Sequence, residues 1–262
     1  MRSSDWIAVI YFLYLAGVCW LRPLPASRRV LITIVSLAAA GIVLASRTSP
    51  PVVHDWLPLV YIGVGYYLTG RLFVAPSIAL ESWLIAWDRR LFGDPTTRFA
   101  RWPAPLVAYL DIVYTFTFLL LPAGFAVLAA SGRSALADHY WTLVLATDLG
   151  AFAPLSVFQT RPPWVLERAP DLPARSVHRI ASFMVRHATI RVNTFPSGHV
   201  AVSLGVAIAI VPVMPVVGGL LFAVAISIAI ACVVGRYHYA MDVAAGAALA
   251  GLVWAVTHLA GI

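Results

Sequence analysis

The sequence contains no lysine; all eighteen of its basic residues are arginine. Genomic base composition accounts for such a bias. Its chemical consequence is that no ammonium side chain is available for anion binding, only the guanidinium, whose planar fork grips phosphate oxygens in pairs. Charge of either sign is scarce, at 11% of 262 residues against 61% hydrophobic, and this excludes an ordinary soluble domain. Cysteine is nearly missing: Cys19 and Cys232 fall in apolar stretches far apart, which excludes a disulfide framework and reports no redox compartment. Internal repeats, heptads and low-complexity tails are also lacking. One membrane domain is the economical reading.

What the chain has is long apolar runs. Stretches at about 6–21, 30–46, 57–72, 105–130, 138–157, 199–215, 216–235 and 240–260 approach the roughly 20 residues that a helix needs to cross a bilayer core. The expectation is an all-α, polytopic membrane helix bundle of about eight transmembrane helices. The first run follows only Arg2 and lacks a small-residue cleavage site, so it reads as a retained helix. A further segment near 73–93 places Leu80, Leu84, Trp87 and Leu91 at helical spacing but carries Glu81 and Asp88; it reads as a helix lying along the interface, its acids solvated.

Counting crossings from the fifth run brings three polar segments, 158–163, 195–199 and 235–242, to one membrane surface. Most arginines fall on that side, including Arg161, Arg168, Arg175, Arg179, Arg186, Arg191 and Arg236, against only Arg2, Arg47 and Arg133 opposite. The positive-inside rule then makes it the cytoplasmic face, in a bacterial inner membrane.

His238 and Asp242, four apart at the opening of the last run, share a helix face with about 5–6 Å between their Cβ atoms. Such a pair is either a structural hydrogen bond or an imidazole prepared as a base or nucleophile. His199 follows Pro196, Ser197 and Gly198, a helix-opening sequence. Ser197 can cap the helix, Gly198 lets a ligand approach the backbone, and the free N–H groups point at an anion. Arg161 and Arg236 are snorkelling anchors or phosphate ligands. Their coincidence with two histidines and an aspartate describes an oxyanion site. Asp111 and Asp148 read as acids paired within the bundle.

Together and in this order, "RPP" at 161–163, "PSGH" at 196–199 and "HYAMD" at 238–242 resemble the type 2 phosphatidic acid phosphatase superfamily, which also holds the vanadium haloperoxidases. The segment "DRRLFGDP" at 88–95 is similar to the inositol phosphorylceramide synthase-like branch. The resemblance implies a six-helix core over 51–262, with an interfacial segment at about 73–104, preceded by two extra transmembrane helices over 1–50. It implies lipid phosphate chemistry in the bilayer without metal, cofactor or nucleic acid. It makes His238 the nucleophile, Asp242 its orienting partner and His199 the proton donor, with Arg161, Ser197, Gly198 and Arg236 holding the phosphate oxygens.

Two positions depart from the family pattern. Pro154 stands where the phosphatase branch has a lysine, and Cys232 where its third motif has an arginine. Three functions follow as expectations. The first is a phosphatase acting on a lipid phosphomonoester or diphosphate through a phosphohistidine. The second is a headgroup phosphotransferase, and the third a non-catalytic lipid-phosphate binding or transport protein.

Overall fold

The computed structural model describes residues 1–166 and 194–261. Arg168, Arg175, Arg179, Arg186 and Arg191 lie outside these residues. Proline and short polar caps set most of the helix starts. Helix α1 (Ser3–Val18) leads through a short 3₁₀ turn to α2 (Ala26–Ser46), and α3 (Pro51–Arg71) opens on a proline whose missing N–H would have had no partner anyway. Ser77 caps α4 (Ile78–Phe92), accepting from the Leu80 N–H, and Gly93, at φ 74°, ends it. Asp94 caps the short α5 (Pro95–Ala100). Then come α6 (Ala104–Thr115), α7 (Leu120–Ala130), α8 (Ala137–Phe152) and the single turn α9 (Pro163–Leu166). Beyond residue 194 lie α10 (Gly198–Ile210), α11 (Pro215–Val234) and α12 (Ala240–Ala260).

The all-α expectation stands, but the count of about eight membrane-spanning helices does not. Among the described residues four helical stretches are long and apolar enough to cross a membrane: Ser3–Leu21, Ala26–Ser46, Pro215–Val234 and Ala240–Ala260. A fifth is reached if the pair Ala104–Thr115 and Thr117–Ala130, bent by 51°, forms one broken span. The overcount has a physical cause. Helices α8 and α10 are apolar because they form the centre of the bundle: twelve of sixteen residues in α8 and nine of thirteen in α10 are buried. Hydropathy does not separate burial in protein from burial in lipid, and a helix of 13 residues is only about 20 Å long against a core of about 30 Å. Helix α3 carries His54 and Asp55 near one end and Arg71 at the other.

Helix α10 packs on α11, α8, α12 and α7, and α1 packs on α2, α8 and α3. Phe12 and Leu15 of α1 share one apolar cluster with Leu145 and Leu149 of α8 and Val202 and Val206 of α10. At one end α1 is fastened by polar contacts. Asp5 meets His54 at 2.9 Å, Arg2 meets Asp55 at 2.6 Å, and Asp138 accepts from the Ser4 N–H at 3.0 Å and its hydroxyl at 2.7 Å.

Helix α4 departs from its expected character. Its acids are not a solvated face: Glu81 is 3% and Asp88 1% exposed, and with buried Leu84 they form the inward stripe. Two buried carboxylates require partners, and these turn out to be the two arginines of the polar segments.

Close helix approach positions α12. A Cβ on Gly246 would stand 2.5 Å from the Ser197 carbonyl oxygen, at the start of α10, whereas one on Gly251 would meet nothing within 4 Å. Gly246→Val is expected to lower stability in detergent by about 1–3 kcal/mol through overpacking. Gly251→Ala should leave the melting midpoint unchanged or slightly raised. Thermal unfolding of the two variants checks the contrast.

Candidate active site

Residues 159–161 are each tied by hydrogen bonds to distant parts of the chain. The Gln159 side chain accepts from the Val74 N–H at 2.8 Å and donates to the Leu72 carbonyl at 2.8 Å, while its backbone carbonyl accepts from the Ser77 N–H at 2.7 Å. Thr160 and Thr194 share a hydroxyl pair at 2.7 Å, and the Thr194 N–H donates to the Thr160 hydroxyl at 3.2 Å. The Arg161 carbonyl accepts from the Tyr239 hydroxyl at 3.1 Å. The Trp164 N–H donates to the Arg236 carbonyl at 3.1 Å, and the Ser197 N–H to the Asp242 carbonyl at 3.0 Å. The segments around residues 160, 196 and 238 therefore close into one locus at the N-termini of α10 and α12.

His238 lies 3.2 Å through Nδ1 from the Thr194 carbonyl oxygen and 3.5 Å from Asp242 Oδ2. A carbonyl only accepts, so Nδ1 carries a proton, and in the neutral ring the lone pair then lies on Nε2. Asp242 Oδ2 also accepts from the Tyr239 N–H at 3.0 Å, which fixes the first turn of α12, while Oδ1 has no hydrogen-bond partner among the described residues. The His199 ring sits edge-to-face with His238, centroids 5.5 Å apart, and stacks on Tyr114 at 4.6 Å beside Phe118 at 5.0 Å. Desolvation by this packing, and secondarily the neighbouring His238, hold the His199 imidazole below the usual histidine range. This favours the neutral ring.

Ser197 is buried and its hydroxyl accepts from the Val200 N–H at 3.4 Å, capping α10. At Gly198 the space for a Cβ is bounded by Phe152 at 3.1 Å, with Asp148 Oδ1 at 3.8 Å, so α8 approaches closely there. Asp148 is fully buried and neither of its oxygens has a hydrogen-bond partner among the described residues, unlike the paired acid expected; Asp111 accepts from the Tyr237 hydroxyl at 3.2 Å.

Each arginine faces a carboxylate of α4. Glu81 accepts from Arg161 Nε at 3.0 Å, Nη2 at 2.8 Å and the Arg161 backbone N–H at 2.7 Å. Arg236, a non-glycine residue at φ 58°, donates from Nη1 to Asp88 Oδ2 at 2.8 Å, and Asp88 Oδ1 accepts from the Ala240 N–H at 2.8 Å. Burial pushes the Asp88 carboxyl up, partly offset by the Ala240 N–H and Arg236. Glu81 and Tyr114 lie outside the quoted motifs, and Asp88, Gln159 and Thr160, though inside quoted segments, were assigned no role in the site. Charge complementarity was the available signal for Glu81 and Asp88, since two acids seven residues apart share a helix face.

Thr160→Val keeps the shape of the side chain but leaves the buried Thr194 N–H and hydroxyl without this partner. The expected loss is about 1–3 kcal/mol, read as a lowered melting midpoint.

Among the described residues no three His, Cys, Asp or Glu side chains are grouped so as to hold a metal ion. Neither a curated protein nor a solved structure matches the chain. Residues 82–256 match the family described as the PAP2 superfamily, a stretch that runs from within α4 into α12 and takes in all three polar segments. This match covers well over half of the sequence, and the chain belongs to the PAP2 superfamily.

Proposed function

We propose that the protein is a membrane-embedded phosphatase that cleaves a lipid phosphomonoester or diphosphate through a phosphohistidine on His238. The observation that carries this reading is the pairing of two imidazoles with ring centroids 5.5 Å apart, one with its Nδ1 engaged by the Thr194 carbonyl, which leaves Nε2 as the nitrogen for chemistry. Family membership and the apolar helices support a lipid phosphate as substrate.

In the first step the Nε2 lone pair of His238 forms a bond to phosphorus as the bond from phosphorus to the departing oxygen breaks. The departing oxygen keeps the electron pair and takes a proton from His199. His199 takes that proton from solvent as the phosphate anion arrives beside it and favours the charged ring. Asp242, 3.5 Å from Nδ1, stabilises the positive charge that builds on His238. In the second step water attacks phosphorus, His199 removes its proton, and the N–P bond breaks to return the lone pair to His238. Arg161, Arg236 and the N–H groups at the start of α10, around Ser197 and Gly198, hold the equatorial oxygens, where each donor is worth about a hundredfold or more in rate.

A second reading, headgroup transfer to an alcohol in place of water, is favoured by one observation. A cavity of about 410 Å³ lies beside the Arg236–Asp88 pair, lined by Asp88, Arg89, Asp94 and Thr96 among others. Its mixed lining, with Ile85 and Leu166 beside these polar side chains, has hydrogen-bond partners for a hydroxylated acceptor, and Pro154 in place of the phosphatase lysine fits a departure from simple hydrolysis.

Purified full-length protein in detergent is expected to release phosphate from dioleoyl phosphatidate or farnesyl diphosphate. His238→Ala should reduce release to background, and His199→Ala should lower it by about a hundredfold or more. Brief reaction with ³²P-labelled substrate should label wild-type protein in an acid-labile form and leave His238→Ala unlabelled. Absence of release from both lipids removes the hydrolase reading, and unchanged activity of His238→Ala removes the phosphohistidine.

A further inference from the structure

Both arginines assigned to the phosphate bond a carboxylate of α4. Three of the hydrogen bonds around Arg161 end on one carboxylate, Glu81, which fixes the guanidinium in its plane through Nε and Nη2 and fixes the backbone of the same residue. The Arg161 side chain stays one-third exposed, at 34%, so it retains an open edge. Asp88 does something different. One oxygen takes Arg236 Nη1 and the other takes the Ala240 N–H, so a single buried carboxylate sets the guanidinium and also the start of α12, two residues after His238. The acids are two helical turns apart on the stripe that includes buried Leu84. Helix α4 is in turn fastened at its cap, where the Ser77 N–H bonds the Gln159 carbonyl.

We propose that Glu81 and Asp88 are positioning residues of the phosphate site, Glu81 orienting Arg161 for anion binding and Asp88 orienting both Arg236 and the turn that presents His238. The proposal rests on the phosphoryl-transfer reading above. It extends that reading to two acids in an anion site, where a carboxylate would otherwise repel the substrate. Their function is to hold each fork in one plane before the phosphate arrives, so that little ordering remains to be done on binding. The two roles predict different kinetic signatures: loss at Glu81 falls on binding, and loss at Asp88 falls on turnover as well.

The test uses detergent-solubilised full-length protein with orthovanadate as the anion probe, its affinity measured by titration calorimetry, and phosphate release from dioleoyl phosphatidate as the rate. Glu81→Gln keeps the size of the side chain and removes the charge. It should weaken orthovanadate about tenfold and raise KM to a similar degree with kcat little changed. Asp88→Asn should weaken orthovanadate and also lower kcat by about tenfold or more. Glu81→Asp and Asp88→Glu should recover part of each loss. In a double-mutant cycle, Glu81→Gln added to Arg161→Gln should weaken orthovanadate no further than Arg161→Gln alone. The proposal is overturned if the amide variants lower the melting midpoint while orthovanadate affinity, KM and kcat stay at wild-type values, or if the cycle is additive. Wild-type protein that binds orthovanadate and turns over while the variants match it removes only the positioning roles. Wild-type protein that neither binds orthovanadate nor releases phosphate removes the underlying reading as well.

Discussion

A guanidinium inside an apolar bundle must have a counter-charge, and the pairing of Arg236 with Asp88 is where this requirement is strictest. The side chains are 9% and 2% exposed and meet at 2.8 Å. Removing one partner would leave the other's charge buried without this counter-ion, which in comparable cases costs about 3–5 kcal/mol. Such a pair adds little net stability over an apolar replacement, so its value lies in geometry. It fixes a turn with a positive φ at Arg236, and from that turn come the placement of His238, the start of α12 and the Ser197–Asp242 backbone bond that joins α12 to α10.

The rest of the site is built from backbone as much as from side chains. Thr194 offers its carbonyl to His238 and its hydroxyl to Thr160, and Asp242 offers a carboxylate to its own helix start while its carbonyl bonds Ser197. Aromatic packing on His199 then does electrostatic work. By stripping solvent from the ring it favours the uncharged form, so that protonation is linked to the arrival of an anion.

The sequence made some of this legible and hid the rest for identifiable reasons. The helical class followed from long apolar runs, and the start of α10 from Ser197, whose hydroxyl caps it. The number of spans did not follow, because α8 and α10 are apolar for burial among other helices, and composition is blind to what surrounds a residue. Glu81 and Asp88 looked like solvated acids of a surface helix. Their burial depends on partners about 80 and 148 positions away in the chain, and no local pattern encodes such pairings. Gln159 and Thr160 escaped notice for the same reason: uncharged polar side chains gain meaning only from the loops they join.

Helix α12 is two-sided in a way that bears on how the protein can vary. Its first turn and Gly246 are pressed against the start of α10, while Leu252, Trp254, Val256 and Leu259 point away from the bundle, and only 17% of its apolar window is covered by protein. The outer half of this helix is thus free to exchange one greasy residue for another as bilayers differ in thickness or composition. The inner half, a few ångströms away on the same rod, admits almost no change in bulk, so tolerance and intolerance to substitution alternate along it with the helical period.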